Sequence, residues 1–281
     1  MTTILDGKKL REKILDNLKS EVDKFVEKPK LVVILAGDDN ASKIYVNNKK
    51  KAAEKLGIQS EIIFYPENVE EETLINKIEE LNNDNTVNAI LVQLPLPKHI
   101  SKTRVINAIS PLKDVDGFTY ENSGRLFVNN SRIIPCTPKG IMLLLKEYNI
   151  EVEGKHAVIV GRSNIVGKPM AQVLLNSNAT VTICHSKTQN LGQITSTADI
   201  LISAVGKSVI TQDMVKQGAV VVDVGIFKDE NGKLRGDVDF ENVSKITSCI
   251  SPVPGGVGPM TITALMLNTV ELYKKHHNVN I

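Results

Sequence analysis

A tyrosine and a lysine four residues apart on a predicted helix are the first side chains with the types and spacing for chemistry. At about 100° per residue, Tyr45 and Lys49 share one stripe of this helix with Ala41, Ala52 and Leu56. A lysine in a partly apolar environment has its charged form disfavoured, so its pKa falls towards the range of a general base. We predict Lys49 as that base. The alternative is that its ammonium extends along the helix into water.

Further polar side chains stand at a strand end and in a loop. Gln93 ends an apolar run, and α/β sheets present such side chains to ligands. Asp114 and Asp116 lie one residue apart in a loop, where an Asx-type turn is the alternative to a functional pair. Neither a histidine nor a third acid is near them, and the five histidines share no ligand spacing. The sequence therefore predicts no metal site.

A segment containing two glycines, GRSNIVGKP at residues 161–169, joins a predicted strand to a predicted helix. Such a turn places free backbone N–H groups and the positive helix end where a pyrophosphate can bind. The pattern departs from G-x-G-x-x-G, because Ser163 stands at the second glycine and the last glycine comes one residue late. The segment predicts a dinucleotide site, and a tight strand–helix turn is the alternative.

The end of the following strand, CHSKT at residues 184–188, indicates which dinucleotide would bind. NAD enzymes commonly place an acid there to hold the ribose hydroxyls. This segment has no acid, whereas Arg162, Ser186 and Lys187 suit a 2′-phosphate. We expect NADP rather than NAD, with a solvated basic turn as the alternative.

The densest run of proline and glycine, PVPGGVGP at residues 252–259, forms a third candidate feature. Such a run makes a rigid wall, poor in side chains, that a flat ligand can approach closely. A plain connector between domains is the alternative.

Apolar runs of strand length alternate with segments of helical period along nearly the whole chain. Continuous apolar strands separated by helices indicate parallel sheets covered on both faces. Residues 110–138 are expected to form an interdomain crossing with a functional loop, and residues 229–232 a hairpin turn. The predicted strands are 30–36, 60–65, 87–92, 155–160, 179–184, 199–203 and 219–224. The predicted helices are 41–56, 69–82, 137–148 (N-cap Thr137, then Pro138), one from 167, one near 191, and 259–275.

Composition limits the partners and the compartment. The 281 residues carry a net charge of +2, which gives no strong field towards nucleic acid or an anionic membrane. Aromatic residues make up 4% and Trp is absent, so stacking platforms for single-stranded nucleic acid are few. No apolar run reaches the roughly 18 residues of a membrane span. The three cysteines match no disulfide or zinc spacing, which favours a cytoplasmic location.

Taken together, these motifs resemble the bifunctional methylenetetrahydrofolate dehydrogenase/cyclohydrolase family of folate one-carbon metabolism. The resemblance covers essentially the whole chain, and the motifs occur in the family's order. They are YVNNK (45–49), VQLPLP (92–97), KDVDGF (113–118), IPCTPKG (134–140), GRSNIVGKP (161–169), CHSKT (184–188) and PVPGGVGPMT (252–261).

The resemblance implies two successive reactions. NADP-dependent oxidation of 5,10-methylenetetrahydrofolate to 5,10-methenyltetrahydrofolate would be followed by hydrolysis to 10-formyltetrahydrofolate. Lys49 would assist proton transfer in the hydrolysis, and Gln93 would tune the protonation of Lys49. Tyr45 would stack on the folate ring, and Asp116 would hydrogen-bond the pterin. The other implied site residues are Gly161, Arg162, Ser163, Ser186 and Ile226 for NADP, and Pro254, Gly255 and Gly256 as a wall of the folate cleft.

The resemblance also implies an α/β architecture of two domains, each a parallel-type sheet flanked by helices, with the folate cleft between them. Residues 1–137 would be the folate-binding catalytic domain, and residues 138–258 a Rossmann-like NADP-binding domain. The helix 259–281 would pack back on the first domain. A homodimer formed through the dinucleotide domains is expected, as is a supply of one-carbon units to purine, methionine and histidine biosynthesis. A dehydrogenase without the hydrolase activity and a non-catalytic NADP-binding sensor are the alternatives.

Overall fold

The predicted alternation of apolar strands and helices is present in the structure, a computed structural model that describes residues 2–278. The strands are β1 (Thr3–Ile4), β2 (Lys30–Ala36), β3 (Gln59–Tyr65), β4 (Ala89–Val92), β5 (His156–Val160), β6 (Thr180–Cys184), β7 (Ile200–Ser203), β8 (Val220–Asp223), β9 (Phe227–Lys228), β10 (Leu234–Arg235) and β11 (Cys249–Ile250). The helices are α1 (Gly7–Val22), α2 (Asn40–Leu56), α3 (Glu71–Asn83), α4 (Lys102–Ala108), α5 (Tyr120–Phe127), α6 (Cys136–Glu147), α7 (Gly167–Asn176), α8 (Leu191–Thr195), α9 (Phe240–Val243) and α10 (Val257–His276), with a 3₁₀ turn at Gln212–Met214.

The described chain divides into two compact units. Residues 14–136 with 262–278 form one, which we call the three-stranded unit after its sheet. Residues 2–13 with 137–261 form the other, which we call the six-stranded unit. The predicted α/β fold with parallel sheets flanked by helices is confirmed.

The three-stranded unit is built on a parallel sheet in the order β3-β2-β4. The central strand β2 is buried along nearly its whole length, which explains why its sequence is a continuous apolar run. On one face of this sheet, residues of β2 form a core together with residues of the helices α1, α2 and α10. This core includes Leu18, Leu31, Leu56 and Leu265. The residues that α10 contributes to this core include Ala264, Met266, Val270 and Leu272.

The six-stranded unit has the strand order β1-β11-β8-β7-β5-β6, and every neighbouring pair is parallel. From β5, the chain adds β6 on one side and β7 then β8 on the other. This reversal of direction beside β5 is the switch point at which open α/β sheets bind ligands. The N-terminal segment joins the same sheet, because β1 pairs with β11 and the Leu5 N–H donates to the Ile250 carbonyl at 2.9 Å.

Several local predictions need correction. The segment 110–138 is not a loop throughout, since it contains α5, whose N-cap Thr119 accepts the N–H of Asn122. Thr137 is not an N-cap, because α6 begins at Cys136. The N-terminal segment pairs with β11, although the predicted boundary placed it with residues 1–137.

The hairpin turn near 229–232 is confirmed by the antiparallel pair β9–β10. The predicted C-terminal helix 259–281 extends to residues 279–281, which lie outside the described residues.

No helix within residues 2–278 has both the length and the apolarity needed to cross a membrane.

Candidate active site

Lys49 and Gln93 are in direct contact in the three-stranded unit. The Lys49 Nζ donates a hydrogen bond of 2.8 Å to the Gln93 Oε1. Lys49 lies on α2, whose first turn is capped by the Asp39 carboxylate and whose end at Gly57 has the left-handed backbone that favours glycine. Gln93 follows β4 directly, as the sequence predicted for a ligand-facing side chain.

The amide of Gln93 has one available orientation. Its Nε2 donates to the Leu94 carbonyl at 2.6 Å, which leaves Oε1 to accept from Lys49. Its backbone N–H donates to the Ile34 carbonyl at 2.8 Å, so the main chain is held to β2. Gln93 therefore offers Lys49 an acceptor without negative charge.

Burial controls the protonation of Lys49 and of the neighbouring Asp116. Burial lowers the pKa of the Lys49 ammonium, while the charge of Asp116 acts against that shift. Burial also raises the pKa of Asp116, against the charge of Lys49 and a hydrogen bond with Cys136. Both shifts favour the neutral forms, because a low-dielectric environment penalises charge. A neutral Lys49 amine can accept a proton.

The two acids of the KDVDGF motif have different roles. Asp114 is buried, and its carboxylate accepts the N–H groups of Gly117 at 2.9 Å and Thr119 at 2.8 Å and the Asn122 amide at 3.0 Å. It therefore forms the turn that the sequence left as the alternative. Asp116 is the acid that interacts with Lys49.

Two residues that the sequence did not single out complete this site. Cys136 is buried beside Asp116, and the two side chains share a hydrogen bond. Asn268, buried on α10, donates to the carbonyls of Val115 and Ile134, each at 2.9 Å, and so joins the two segments that carry Asp116 and Cys136. No sequence pattern around Asn268 indicates a role at this site. The role is visible only in the fold, where Asn268 lies opposite two carbonyls that are distant from it in sequence.

The helical stripe of α2 is buried in its C-terminal half only. Ala52 and Leu56 are buried, Lys49 is half-buried, and Tyr45 is 45% exposed. Ala41 is exposed, so the stripe turns from solvent towards the core along the helix. The exposed ring of Tyr45 lies one helical turn before Lys49, where a flat ligand can reach both side chains.

The predicted cofactor residues follow the carboxyl ends of three parallel strands in the six-stranded unit. Gly161, Arg162 and Ser163 follow β5, Ser186 follows β6, and Ile226 lies in the loop after β8. Because β6, β5, β7 and β8 lie side by side in this order and are all parallel, their carboxyl ends lie along one edge of the sheet, on both sides of the switch point. The geometry therefore collects these residues at the expected ligand-binding edge.

Gly161 and Gly167 allow the chain to turn tightly there. Gly161 has a φ of +129°, and a Cβ at this position would lie 2.6 Å from the Ala204 carbonyl oxygen. A Cβ on Gly167 would lie 2.2 Å from the Gly161 carbonyl oxygen. No side chain fits either position without moving backbone atoms, so both glycines are required for close packing of strand and helix.

The N–H groups at the start of α7 have acceptors within the chain. The Ser163 Oγ accepts from the N–H groups of Val166 at 3.1 Å and Gly167 at 3.4 Å, and the Ser163 carbonyl accepts from Lys168 at 3.0 Å. Pro169 has no N–H. Ser163 thus binds the N–H groups of the N-cap residue Val166 and the first helical residue Gly167, and an anion at this edge would be held chiefly by the preceding loop and the exposed Arg162.

The turn after β6 presents Ser186 to solvent. The His185 N–H donates to the Thr188 Oγ1, and the Thr188 N–H donates to the His185 carbonyl, both at 2.8 Å. Ser186 and Lys187 are exposed at its tip. With the exposed Arg162 on the adjacent strand end, they make a hydroxyl-bearing, basic surface. These residues fit a phosphorylated ribose.

The proline- and glycine-rich turn of residues 252–256 packs against the start of α1. The Gly255 carbonyl accepts the N–H groups of Gly7 at 3.0 Å and Lys8 at 3.2 Å. Gly255 and Gly256 are buried, and Pro254 is exposed. Of the three predicted wall residues, Pro254 is therefore the one available to a ligand from solvent.

Within residues 2–278, no group of three or more His, Cys, Asp and Glu side chains is arranged to hold a metal ion. The absence of a metal site stays a prediction.

Family models match both parts of the chain. The catalytic domain of tetrahydrofolate dehydrogenase/cyclohydrolase matches residues 5–116, and the NAD(P)-binding domain of the same family matches residues 135–277. The resemblance read from the motifs is therefore confirmed.

Relatives are similar over nearly the full length. The bifunctional protein FolD of Ligilactobacillus salivarius is 57% identical over 98% of both chains. The solved structure of the bifunctional FolD of Campylobacter jejuni is 50% identical, with a TM-score of 0.96 over 98% of this chain and 99% of that chain. The Trypanosoma brucei FolD structure, solved with NADP cofactor and an inhibitor, is 36% identical, with a TM-score of 0.93 over 98% of both chains. The chain thus belongs to the tetrahydrofolate dehydrogenase/cyclohydrolase family.

Proposed function

We propose that the chain catalyses two successive steps of folate one-carbon metabolism. In the first, 5,10-methylenetetrahydrofolate loses a hydride to NADP and becomes the 5,10-methenyl cation. In the second, water adds to that cation, a proton is released, and the ring opens to 10-formyltetrahydrofolate. Membership of the family and its NAD(P)-binding domain support both steps and the cofactor.

The observation that carries this proposal is the partly buried Lys49 amine held by Gln93 at 2.8 Å. Addition of water to a cation leaves a proton that must be removed, and a positioned base commonly accelerates such a step by about 10²–10⁴-fold. Because burial lowers the pKa of Lys49, its neutral amine can take that proton. Gln93 orients the amine without raising its pKa through an opposite charge.

Tyr45 and Asp116 would hold the folate. The exposed Tyr45 ring presents a flat face one turn from Lys49, which suits stacking on the folate ring system. Burial raises the pKa of Asp116, so its carboxyl group can carry a proton and donate a hydrogen bond to the pterin. Pro254, Gly255 and Gly256 are proposed as a further wall for the folate, of which Pro254 is exposed.

The residues proposed to hold NADP are Gly161, Arg162, Ser163, Ser186 and Ile226. When bound, NADP accepts the hydride, and the protein supplies chiefly orientation and proximity, worth up to about 7–11 kcal/mol in favourable cases. Arg162 would pair with the 2′-phosphate, because its guanidinium is exposed at the strand end and can bind a phosphate through two N–H groups. Ser163 would act mainly by shaping the turn through its bonds to Val166 and Gly167.

Two assays on the purified chain test the proposal. The first follows NADPH formation from 5,10-methylenetetrahydrofolate, and the second follows decay of supplied 5,10-methenyltetrahydrofolate against buffer alone. We expect both. NADPH formation with decay at the buffer rate would indicate a dehydrogenase without hydrolase activity. NADP binding with neither reaction would indicate a sensor.

We further propose that the chain forms a homodimer through the six-stranded unit. Within residues 2–278, β6 is an edge strand of the six-stranded sheet, and its Ile183 is 41% exposed. Leu175, at the end of the neighbouring α7, is 54% exposed. An open strand edge beside exposed apolar side chains suits pairing with a second copy. Sedimentation of the unaltered chain and of Ile183→Lys tests this, with a monomeric variant expected.

A cytoplasmic location and a role in supplying purine, methionine and histidine biosynthesis are also proposed. Cys136, Cys184 and Cys249 are all free, which suits a reducing compartment. Cell fractionation tests the location. The absence of nucleic-acid and membrane partners stays a prediction.

A further inference from the structure

Two buried carboxylates lie behind the ligand-binding edge of the six-stranded sheet, and neither reaction step uses them. Asp223 ends β8, and Asp237 follows the β9–β10 hairpin. Asp223 is 3% exposed and Asp237 is fully buried. A buried carboxylate is costly unless hydrogen-bond donors surround it, so the donors show what each group holds in place.

Asp237 binds the loop that follows β7. Its Oδ2 accepts the Ser203 hydroxyl at 2.8 Å and the Val205 N–H at 2.7 Å. Its Oδ1 accepts the N–H groups of Gly206 and Lys207, each at 2.9 Å. Both oxygens thus have two donors, and three consecutive backbone N–H groups point at one charge. This carboxylate determines the path of residues 205–207.

Asp223 binds the loop that follows β8 and also the segment carrying Asp237. Its Oδ1 accepts the N–H groups of Gly225 at 3.2 Å and Asp237 at 2.9 Å, and its Oδ2 accepts that of Val238 at 3.0 Å. Ser203, which binds Asp237, lies opposite Asp223 in the pairing of β7 with β8. Asp237 and Asp223 together therefore link the ends of these two adjacent strands.

The backbone is built around these two groups. A Cβ on Gly225 would lie 1.8 Å from the Asp237 Oδ1, and a Cβ on Gly236 would lie 2.0 Å from the Asp223 Oδ2. Glycine at both positions therefore lets the main chain approach each carboxylate. The residue after Gly225 is Ile226, which is 40% exposed at the same edge.

We propose that Asp223 and Asp237 are positioning residues for NADP, holding the loops 204–207 and 224–226 in the conformation that binds the dinucleotide. Both loops follow strands on the β7 side of the switch point, next to the Gly161 turn. The carboxylates do not touch the ligand; they act through the backbone that does. This inference rests on the proposed placement of NADP at residues 161–163 and 226.

The test compares Asp237→Asn with Asp199→Asn. Asp199 precedes β7, at the opposite edge of the same sheet, and its carboxylate also accepts a backbone N–H, that of His156, at 2.9 Å. Asparagine keeps the shape of Asp237 but turns one acceptor into a donor facing the N–H groups of the loop. We expect Asp237→Asn to raise the Kd for NADP about tenfold or more, since hydrogen bonds to charged groups are lost. Asp199→Asn should leave this Kd unchanged.

Hydrolysis of supplied 5,10-methenyltetrahydrofolate consumes no dinucleotide and is measured on the same samples. Asp237→Asn should keep it within about twofold, whereas a general loss of folding would lower both properties together. An unchanged Kd, or a proportional loss of hydrolysis and NADP binding, would overturn the inference. If the unaltered chain does not bind NADP, the proposed function fails as well.

Hydrogen exchange on the unaltered chain gives a second readout that does not depend on a folded variant. NADP should slow exchange of the amides of residues 205–207 and 225 more than that of the His156 amide, which Asp199 holds at the opposite edge. Equal effects at the two edges would contradict the proposed positioning role.

Discussion

The Lys49 ammonium donates to the Gln93 side-chain oxygen at 2.8 Å, and the other end of the Gln93 amide is fixed by the Leu94 carbonyl. This pairing joins helix α2 to the end of β4. An amide acceptor orients the amine without adding a negative charge, so the lowering of the Lys49 pKa by burial is retained. The protonation of Lys49 is consequently sensitive to the charge at position 93.

Substituting Lys49 by methionine tests the base. Lys49→Met should reduce hydrolysis of 5,10-methenyltetrahydrofolate by about 10²–10⁴-fold, because a positioned proton acceptor is lost while a similar side-chain volume is kept. Binding of folate and NADP should persist in equilibrium titrations. Lys51→Met, an exposed position on the same helix, is the matched control and should retain the parent rate. Parent-level hydrolysis in Lys49→Met would remove Lys49 from its proposed role.

A carboxylate at position 93 should shift the pH dependence of hydrolysis. In Gln93→Glu, the opposite charge stabilises the Lys49 ammonium and raises its pKa, so the rising limb of the rate moves to higher pH. The shift should amount to about one pH unit or more, measured from kcat/KM across pH. A profile that coincides with that of the unaltered chain would show that Gln93 does not influence the base.

Removing the guanidinium of Arg162 should discriminate between the two dinucleotides. Arg162→Ala should raise the KM for NADP about tenfold or more and change the KM for NAD little, because only NADP carries the 2′-phosphate. Lys155→Ala, an exposed basic position just before β5 at the opposite sheet edge, should alter neither value. An equal increase for both dinucleotides would argue against the phosphate contact.

Stability should fall with rising pH through the titration of Asp223. Burial, together with the nearby charge of Asp237, raises the pKa of Asp223 from 3.8 to about 7. Between these values the folded chain keeps a proton that the unfolded chain releases, so the free energy of unfolding decreases as pH rises from about 4 to about 7. Asp223→Asn should make this decrease smaller.

Urea unfolding at about pH 5 and about pH 7 measures that slope. Asp199→Asn is the matched control, because the pKa of Asp199 is lowered, below this interval, by hydrogen bonds from Lys216 and His156. Its slope should equal that of the unaltered chain. A slope in Asp223→Asn as large as the parent's would assign the pH dependence to other groups.

Short-range patterns predicted much of the architecture. The burial of β2 followed from its apolar run, and the end of α2 followed from Gly57, because a helix stop depends on a left-handed backbone available locally. The short strands β1 and β11 were not predicted. Each has two residues and is stabilised by pairing with a partner distant in sequence. The residue types within such a short segment do not reveal a distant pairing partner, so these two strands cannot be predicted from local propensity.

The sequence by itself determined the alternation of the longer strands with helices, the family, and the presence of Lys49, Gln93 and a pair of acids near a candidate site. Only the tertiary structure decided that Asp116 interacts with Lys49 while Asp114 forms a turn, and that the Ser163 hydroxyl accepts the N–H groups of Val166 and Gly167 at the start of α7. The reason is physical: residue type sets which groups can ionise or donate, but burial and hydrogen-bond partners set their pKa and availability, and chain segments far apart in sequence supply both.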